Sequence, residues 1–173
     1  MERERIVISP YDPAWPRWFE SERALLERVL ASWLEGGIHH IGSTSIPGVA
    51  AKPIVDMMVG VRDFEEARAA YEPLIAHGYV HTPHRPGIAH HFSKPSAESP
   101  RFGIHLTEPG SDLWRERFAF RDTLREDAEL AAEYERLKLR LAPKTTDAES
   151  YLQGKRAFVA SVLARSGIVP GRR

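Results

Sequence analysis

Residues 39–61, HHIGSTSIPGVAAKPIVDMMVGV, combine a Gly-Ser turn with an acidic residue on the strand that follows. A strand that ends at Gly42-Ser43 and turns sharply exposes backbone N–H groups, and the glycine lets a phosphate approach the main chain. Asp56 lies on the next predicted strand, where its carboxylate can hold a divalent cation near the same phosphate. Further donors come from the hydroxyls of Ser43, Thr44 and Ser45. The pattern predicts a site for a phosphate and a metal ion, and its alternative is an ordinary tight turn.

Two charged residues of this stretch also have structural interpretations. Asp56 stands among apolar residues, and burying it without a partner would cost several kcal/mol. Its partner is therefore a metal or a substrate, or else a neighbouring loop that the carboxylate caps. Lys52 either binds phosphate or forms a salt bridge with Asp56. His39 and His40 point to opposite faces of a strand, so at most one of them reaches the turn.

The C-terminal third supplies cationic and aromatic side chains at a four-residue spacing. Tyr151 and Lys155 share one helical face, where the ring can stack on a base while the ammonium meets a phosphate. Arg121 and Arg125 repeat the spacing and can clamp phosphate oxygens. Their alternative is ion pairing with the acidic residues at positions 122, 126 and 129. The same four-residue spacing relates Tyr134 to Lys138.

Four histidines, at positions 81, 84, 90 and 91, have the composition of a metal-binding tract. They lack a recognised ligand spacing and lie in a Pro-rich stretch. The sequence therefore favours a solvated loop and hairpin over a metal centre for these residues.

Composition excludes several classes of function. Lys plus Arg equals Asp plus Glu at 24 each, so no global field attracts nucleic acid or anionic lipid, and phosphate binding requires a local cluster of charge. The absence of cysteine excludes disulfides, thiolate catalysis and Cys-ligated zinc. The N-terminal residues lack the pattern of a secretory signal, and no window approaches the roughly 18 apolar residues of a membrane span. We expect a soluble, cytoplasmic protein that binds neither membranes nor extended nucleic acid.

The elements that must position these residues follow an α+β order in one domain. Strands are predicted at 6–8, 38–41 and 54–61, with a possible hairpin of 88–94 and 101–107. Helices are predicted from Asp12-Pro13 to about Glu35, from Asp63 to His77, and at 111–125, 127–141 and 147–165. The expected architecture is a small mixed or antiparallel sheet flanked by helices, with a sheet-bearing core at about 5–108 and C-terminal helices at about 111–167.

Several pieces together make the chain resemble the GrpB family, within the nucleotidyltransferase-fold superfamily. In order along the chain they are YDPAW (11–15), HIGSTSIPG (40–48), AAKPIVD (50–56), IHL (104–106), FRDTLR (120–125), YERLK (134–138), and Tyr151 with Lys155. The pairing of HIGSTS with KPIVD is specific, whereas each helical piece alone is weak. The resemblance implies a nucleotidyltransferase-like fold with a strand, a Gly-Ser turn and a neighbouring strand that bears catalytic carboxylates.

The resemblance also shows where this chain departs from the superfamily. Active nucleotidyltransferases carry two acids two positions apart on one strand, and here the partner position of Asp56 is Met58. His105 lies on the later strand that carries the third acid in the superfamily. The related segment of the family often reads His-Leu-His, and here it reads Gly103-Ile104-His105. A site of Asp56 and His105 would favour a transition metal such as Zn or Mn over Mg.

The function implied is the binding of a nucleotide or phosphorylated small molecule, with metal-dependent nucleotidyl transfer as the reaction. Some family members are joined to dephospho-CoA kinase, which implies a link to coenzyme A metabolism and association with that enzyme. The chain has no Walker A sequence, so it is not itself a P-loop kinase. The alternatives are a catalytically degenerate nucleotide-binding or accessory module, and a hydrolase with a single metal ion.

Overall fold

The computed structural model describes residues 6–145 and 147–170. Its centre is a five-stranded mixed sheet in the order β1-β2-β5-β4-β3. The strands are β1 (Leu34–Ile41), β2 (Val55–Val61), β3 (Val80–His81), β4 (His90–Lys94) and β5 (Phe102–Thr107). The helices are α1 (Trp15–Val29), α2 (Tyr71–Ala76), α3 (Asp112–Glu126), α4 (Ala128–Leu141) and α5 (Ala148–Arg165). The predicted α+β class, with a flanked mixed sheet and a helical C-terminal third, is confirmed.

Strand β2 lies inside the sheet, antiparallel to β1 and parallel to β5. Every residue of this strand is buried except Asp56, as expected of a strand covered on both faces. Asp56 lies opposite Ile41 at the end of β1 and opposite Gly103 near the start of β5. The sheet therefore sets this carboxylate beside the turn that follows β1.

The two faces of the sheet are covered by different helices. Alternate residues of β2, including Val55 and Met57, join the main core with Trp15 and Leu26 of α1. On the opposite face Met58 packs in a cluster with Leu113 of α3. Asp56 shares the face of Met58, because side chains two positions apart on a strand point the same way. The site therefore lies on the α3 side of the sheet.

The C-terminal helices pack against the connection between β1 and β2. Ile46 and Val49 of this connection form one apolar cluster with residues of all three helices. The helix residues of that cluster are Leu124, Leu130, Ala131, Tyr134 and Val162. The connection that carries the Gly-Ser turn is therefore held between the sheet and α3, α4 and α5.

Two N-terminal predictions are wrong. Residues 6–8 form no strand. Among the described residues, their segment pairs with the rest of the chain only through an isolated bridge between Ser9 and Ala51. The first helix ends at Val29 rather than near Glu35, and β1 already begins at Leu34. Gly36, which has a φ of 79°, lies within an irregularity of β1 rather than at a helix end. That irregularity brings the Glu35 carbonyl so close to Gly60 that a Cβ there would lie 1.9 Å from the oxygen.

The remaining elements follow the predictions more closely. Strands β4 and β5 form the predicted hairpin, and the three C-terminal helices begin and end within a residue of their predicted bounds. The segment after Asp63 starts as a 3-10 turn and becomes α-helical only from Tyr71 to Ala76. Among the described residues, no helix has the length and apolar character required to cross a membrane.

Candidate functional site

The Gly-Ser turn and the Asp56 carboxylate are in direct contact. Gly42 has a φ of 73° and a ψ of −176°, a conformation that is essentially restricted to glycine. A Cβ at Gly42 would lie only 3.1 Å from Asp56 Oδ2. Residues Ser43–Ser45 then form one 3-10 turn. Glycine thus permits both this backbone conformation and the close approach of the Asp56 carboxylate.

The Asp56 carboxylate is a partly exposed anion among basic side chains. Its side chain is 36% exposed, and Oδ1 lies 3.9 Å from His105 Nε2. Burial by itself would raise the pKa of Asp56, but the neighbouring imidazoles and the Arg117 guanidinium outweigh that effect and hold the pKa below its ordinary value. Asp56 is therefore ionised at neutral pH and accessible to a ligand.

The hydroxyls of Thr44 and Ser45 are used to fix the turn. His40 Nε2 donates to Thr44 Oγ1 at 2.9 Å, and Thr44 Oγ1 donates to the Ile54 carbonyl at 3.0 Å. Ser45 Oγ donates to the Gly42 carbonyl at 2.6 Å. Burial lowers the pKa of His40 to about 4, so the ring is neutral at neutral pH. The Ser45 N–H also donates to the Gly42 carbonyl, at 3.1 Å, so of these two residues only Thr44 keeps a backbone N–H for the predicted ligand role.

Ser43 is the hydroxyl of the turn that faces the C-terminal helices. It is partly exposed, and its Oγ donates to the hydroxyl of Tyr134 at 3.4 Å, a weak bond at the long end of the range. The first N–H groups of a 3-10 turn have no partner within the turn. Ser43 therefore combines a weakly held hydroxyl with a main-chain donor, next to Asp56.

Three cationic side chains, those of Lys52, Arg117 and Lys155, lie around this turn. Lys52 Nζ lies 5.6 Å from the centre of the Tyr151 ring and Lys155 Nζ lies 4.2 Å from it. Burial, and then the charges of Arg117 and Lys52, lower the pKa of Lys155 to about 8. In the described part of the chain, no carboxylate lies within 4.0 Å of any of these three cations. Lys52 thus contacts Tyr151 rather than forming the predicted alternative salt bridge with Asp56.

Sequence reasoning missed Arg117. It lies on α3, four residues before Arg121 and eight before Arg125, so all three guanidinium groups follow one helical spacing. It is half-buried, and its charge influences both Asp56 and Lys155. Extending the arginine spacing by one turn towards the N-terminus would have found it.

Arg121 and Arg125 bind the backbone on either side of the turn. Arg121 Nη1 donates to the His40 carbonyl at 3.1 Å, and its Nε donates to Asp122 at 2.7 Å, which confirms the ion pair considered as its alternative role. Arg125 Nε donates to the Ser45 carbonyl at 2.9 Å. Both arginines therefore shape the turn, and direct phosphate binding by them stays a prediction.

Lys138 lies inside the protein rather than in the site. Its side chain is 1% exposed, and Nζ donates to the Ala50 carbonyl. Burial, followed by the charge of Lys155, lowers its pKa to about 7. One turn earlier on the same helix, Glu135 Oε1 accepts from the Ala50 N–H at 2.7 Å. Together Glu135 and Lys138 hold both sides of the Ala50 residue, two positions before Lys52.

The histidines of the β4 region divide between the two faces of the sheet. His90 is 4% exposed, stacks on Phe64 at 4.0 Å and bonds to Tyr71, so the expectation of a solvated loop is wrong for it. His91 points to the opposite face, where its ring lies 4.5 Å from that of His105. Sequence reasoning did not place His91 in the site. The signal for it was strand register, since His91 pairs directly with His105 across β4 and β5.

The donor atoms do not match a pair of magnesium ions. Met58 is fully buried in an apolar cluster, so its position supplies no second carboxylate. Imidazole suits transition metals and is a poor ligand for Mg. Among the described residues, no group of three or more His, Asp or Glu side chains is arranged so that it could hold a metal ion. Asp56 and His105 therefore fit one transition metal better than the two-metal arrangement.

Comparison with known proteins assigns the family. The model of the family described as "GrpB protein" matches residues 5–165, and the chain belongs to that family. It is similar over 92% of its length to the crystal structure of conserved protein GrpB from Enterococcus faecalis, with 28% identity, 96% coverage of that chain and a TM-score of 0.83.

Two relatives extend this comparison. The UPF0157 protein YqkA of Bacillus subtilis is 32% identical over 91% of this chain, which spans only 46% of that relative. A protein named dephospho-CoA kinase from Mycolicibacterium paratuberculosis is 32% identical over 66% of this chain, which corresponds to 28% of that protein. Domains related to this chain therefore also occur within longer proteins.

Proposed function

We propose that this protein binds a nucleotide or another phosphorylated small molecule at the Gly42-Ser43 turn. The observation that carries the proposal is the group of Lys52, Arg117 and Lys155, which has no carboxylate within ion-pair distance in the described part of the chain. Like charges held together in a partly buried site raise the free energy of the protein, and a phosphate would lower it.

Each element of the site has a separate role in this proposal. The backbone of Gly42 and Ser43 approaches the phosphate, and Ser43 Oγ exchanges its weak bond to Tyr134 for one to a phosphate oxygen. Lys52 and Lys155, which both lie near the Tyr151 ring, neutralise the charge of the phosphate. Tyr151 itself is 3% exposed, so in this role its ring positions the two lysines.

Binding alone is better supported than two-metal nucleotidyl transfer, because Met58 removes the second acid. The second candidate function is hydrolysis of a phosphorylated substrate with one transition metal, which the proximity of Asp56 and His105 favours. A bound metal would lower the pKa of a water molecule and so supply a nucleophile at neutral pH. The residues of this chain would orient the substrate phosphate beside it.

Coenzyme precursors belong among the candidate ligands. The relative named dephospho-CoA kinase contains a region similar to this chain, so a ligand or partner linked to that enzyme is part of the proposal. A dephosphorylated coenzyme A precursor carries both a nucleotide and phosphates, which matches the chemistry of the cationic group. Direct association with a separate dephospho-CoA kinase is the corresponding partner proposal.

A thermal-shift screen tests the proposal. Nucleoside phosphates and coenzyme precursors are added singly, each with EDTA, Mg, Mn or Zn. A ligand present at about 100 times its dissociation constant stabilises the folded state by about 2.7 kcal/mol. Lys155→Met and Arg117→Met should weaken binding of any hit by about tenfold or more, whereas Arg140→Met, on an exposed part of α4, should not. Equal affinities in all three variants would refute the proposed site.

Turnover separates the two functions. The hydrolase predicts phosphate release from a hit that depends on a transition metal and disappears in Asp56→Asn. A binding protein predicts stabilisation without metal-dependent turnover in any variant.

A further inference from the structure

Lys155, on α5, combines an unbonded amine with an aromatic neighbour. It follows Tyr151 by one helical turn, and its Nζ lies 4.2 Å from the centre of the Tyr151 ring. Among the described residues, none forms a hydrogen bond or an ion pair with this Nζ. The side chain is partly exposed, and in the described part of the chain the one buried side-chain nitrogen or oxygen without a partner is Arg23 Nε. The Lys155 amine is therefore open to a ligand.

The surroundings of Lys155 favour its uncharged form. Burial and then the positive charges of Arg117 on α3 and Lys52 on the connection between β1 and β2 lower its pKa to about 8. Asp56 on β2 opposes them with a smaller effect, and on α4 the nearest titratable neighbour, Lys138, is a further cation. Near pH 7.5 roughly a quarter of such an amine is uncharged, against roughly one part in a thousand for an ordinary lysine. An uncharged amine is a nucleophile, whereas an ammonium is not.

Access, rather than the pKa alone, distinguishes Lys155 from three of the other four lysines. Lys138 has the lower pKa, about 7, but it is 1% exposed and its Nζ donates to a backbone carbonyl. Lys94 forms an ion pair with a carboxylate at 2.7 Å. Lys144 is exposed to solvent on the 3-10 turn after α4. The fourth, Lys52, lies farther from the shared aromatic ring, at 5.6 Å, and is the direct competitor of Lys155.

We propose that Lys155 forms an imine with the carbonyl group of a phosphorylated aldehyde whose phosphate lies at the Gly42-Ser43 turn. The uncharged amine attacks the carbonyl carbon, both amine protons leave with the carbonyl oxygen as water, and a C=N bond replaces the C=O bond. Lys52 and Arg117 keep their charges and hold the phosphate. An aldehyde is the class that fits, because this step needs no leaving group and no second reactant. The inference rests on the proposed function, since the turn and these two cations must bind the phosphate.

Pyridoxal 5′-phosphate followed by borohydride tests the inference, because reduction turns an imine into a stable secondary amine on the modified lysine. Peptide mass mapping of wild type near pH 7.5 should show one adduct per chain, at Lys155. Pyridoxal has the same aldehyde without the phosphate and should label Lys155 at least about tenfold more slowly, since an anchored phosphate makes the attack effectively intramolecular. Excess inorganic pyrophosphate should slow labelling by the phosphorylated probe in the same way.

Two variants extend the test. Lys155→Met should lose the adduct, and the matched control Lys144→Met, at an exposed position, should be labelled as wild type is. The mapping and the competition by pyrophosphate use wild type, so the test stays decisive if Lys155→Met fails to fold. A main adduct on Lys52 or another amine, or equal rates with pyridoxal and its phosphate, overturns the inference.

Failure of the imine is distinguishable from failure of the phosphate site. If pyrophosphate stabilises the protein in the thermal-shift screen while Lys155 stays unmodified, the imine is refuted and the phosphate site stands. If no phosphate compound binds in that screen, the proposed function is refuted, and this inference is refuted with it.

Discussion

At the scale of single residues, the site depends on two glycines that border one carboxylate. Gly42 and Gly103 lie on either side of Asp56, and a side chain at either position would approach a carboxylate oxygen. The sequence pattern predicted a sharp glycine turn after the strand at Gly42, with a phosphate rather than Asp56 as the group that approaches it. It gave no comparable signal for Gly103, because the close approach depends on the pairing of β2 with β5.

Replacement of Gly42 measures this close approach. Gly42→Ala should lower the free energy of unfolding by about 1–3 kcal/mol from the backbone conformation, and by more because its Cβ would press on Asp56 Oδ2. Gly48→Ala is the control, since Gly48 also has a positive φ, of 80°, but no atom lies within 4 Å of its Cβ position. Urea denaturation of both variants compares the two costs. Equal losses would show that contact with Asp56 contributes nothing.

The buried Lys138 ammonium predicts a pH dependence of stability. Its folded pKa is about 7, below the ordinary value of 10.5, so between these values the unfolded chain binds more protons than the folded protein. Stability therefore rises as pH increases from about 7 to about 10, by an amount on the order of a few kcal/mol from this residue. Lys138→Met should reduce the rise in urea midpoints, most clearly between pH 7 and 8, because Lys155, whose folded pKa is about 8, also contributes above that pH. Lys144→Met, at an exposed position, should keep it, and the same slope in both variants would contradict the assignment.

At the scale of elements, α4 fixes the connection that carries Lys52. Glu135 and Lys138 bind the N–H and carbonyl of Ala50, so one helix face holds a single residue of the loop at two points. This explains why a lysine that the sequence pairs with Tyr134 on one helical face is buried. The four-residue spacing predicted which side chains share a face, but not that the face would pack against the loop.

Loss of one anchor tests the contribution of α4. Glu135→Ala removes the acceptor of the Ala50 N–H and should lower the free energy of unfolding by about 1–3 kcal/mol. It should also lower the affinity for any phosphate ligand whose binding depends on Lys52. Glu133→Ala, an exposed change on the same helix, is the control for helix propensity and charge. Chemical denaturation and ligand titration measure the two effects, and indistinguishable variants would contradict this role.

At the scale of the whole molecule, the sequence predicted the architecture better than the site. Apolar periodicity and capping residues located the C-terminal helices, because those signals are local. The end of α1 was misplaced because Trp33 continues the helical pattern although it lies in the turn before β1. Arg117 and His91 were missed because their roles arise from tertiary placement. Only the packing of α3 on the sheet and the register of β4 bring them near Asp56.

The hydrogen bonds that Arg121 and Arg125 donate to the carbonyls beside the turn have a dynamic consequence. A ligand that rigidifies residues 42–45 also restrains the helix whose guanidinium groups hold them, although the two segments are about 80 positions apart in the chain. Amide hydrogen exchange should therefore slow in α3 as well as in the turn when the ligand binds. In Arg125→Gln the slowing should stay confined to the turn. Protection of α3 that is equal with and without Arg125 would mean that the two segments respond to the ligand independently.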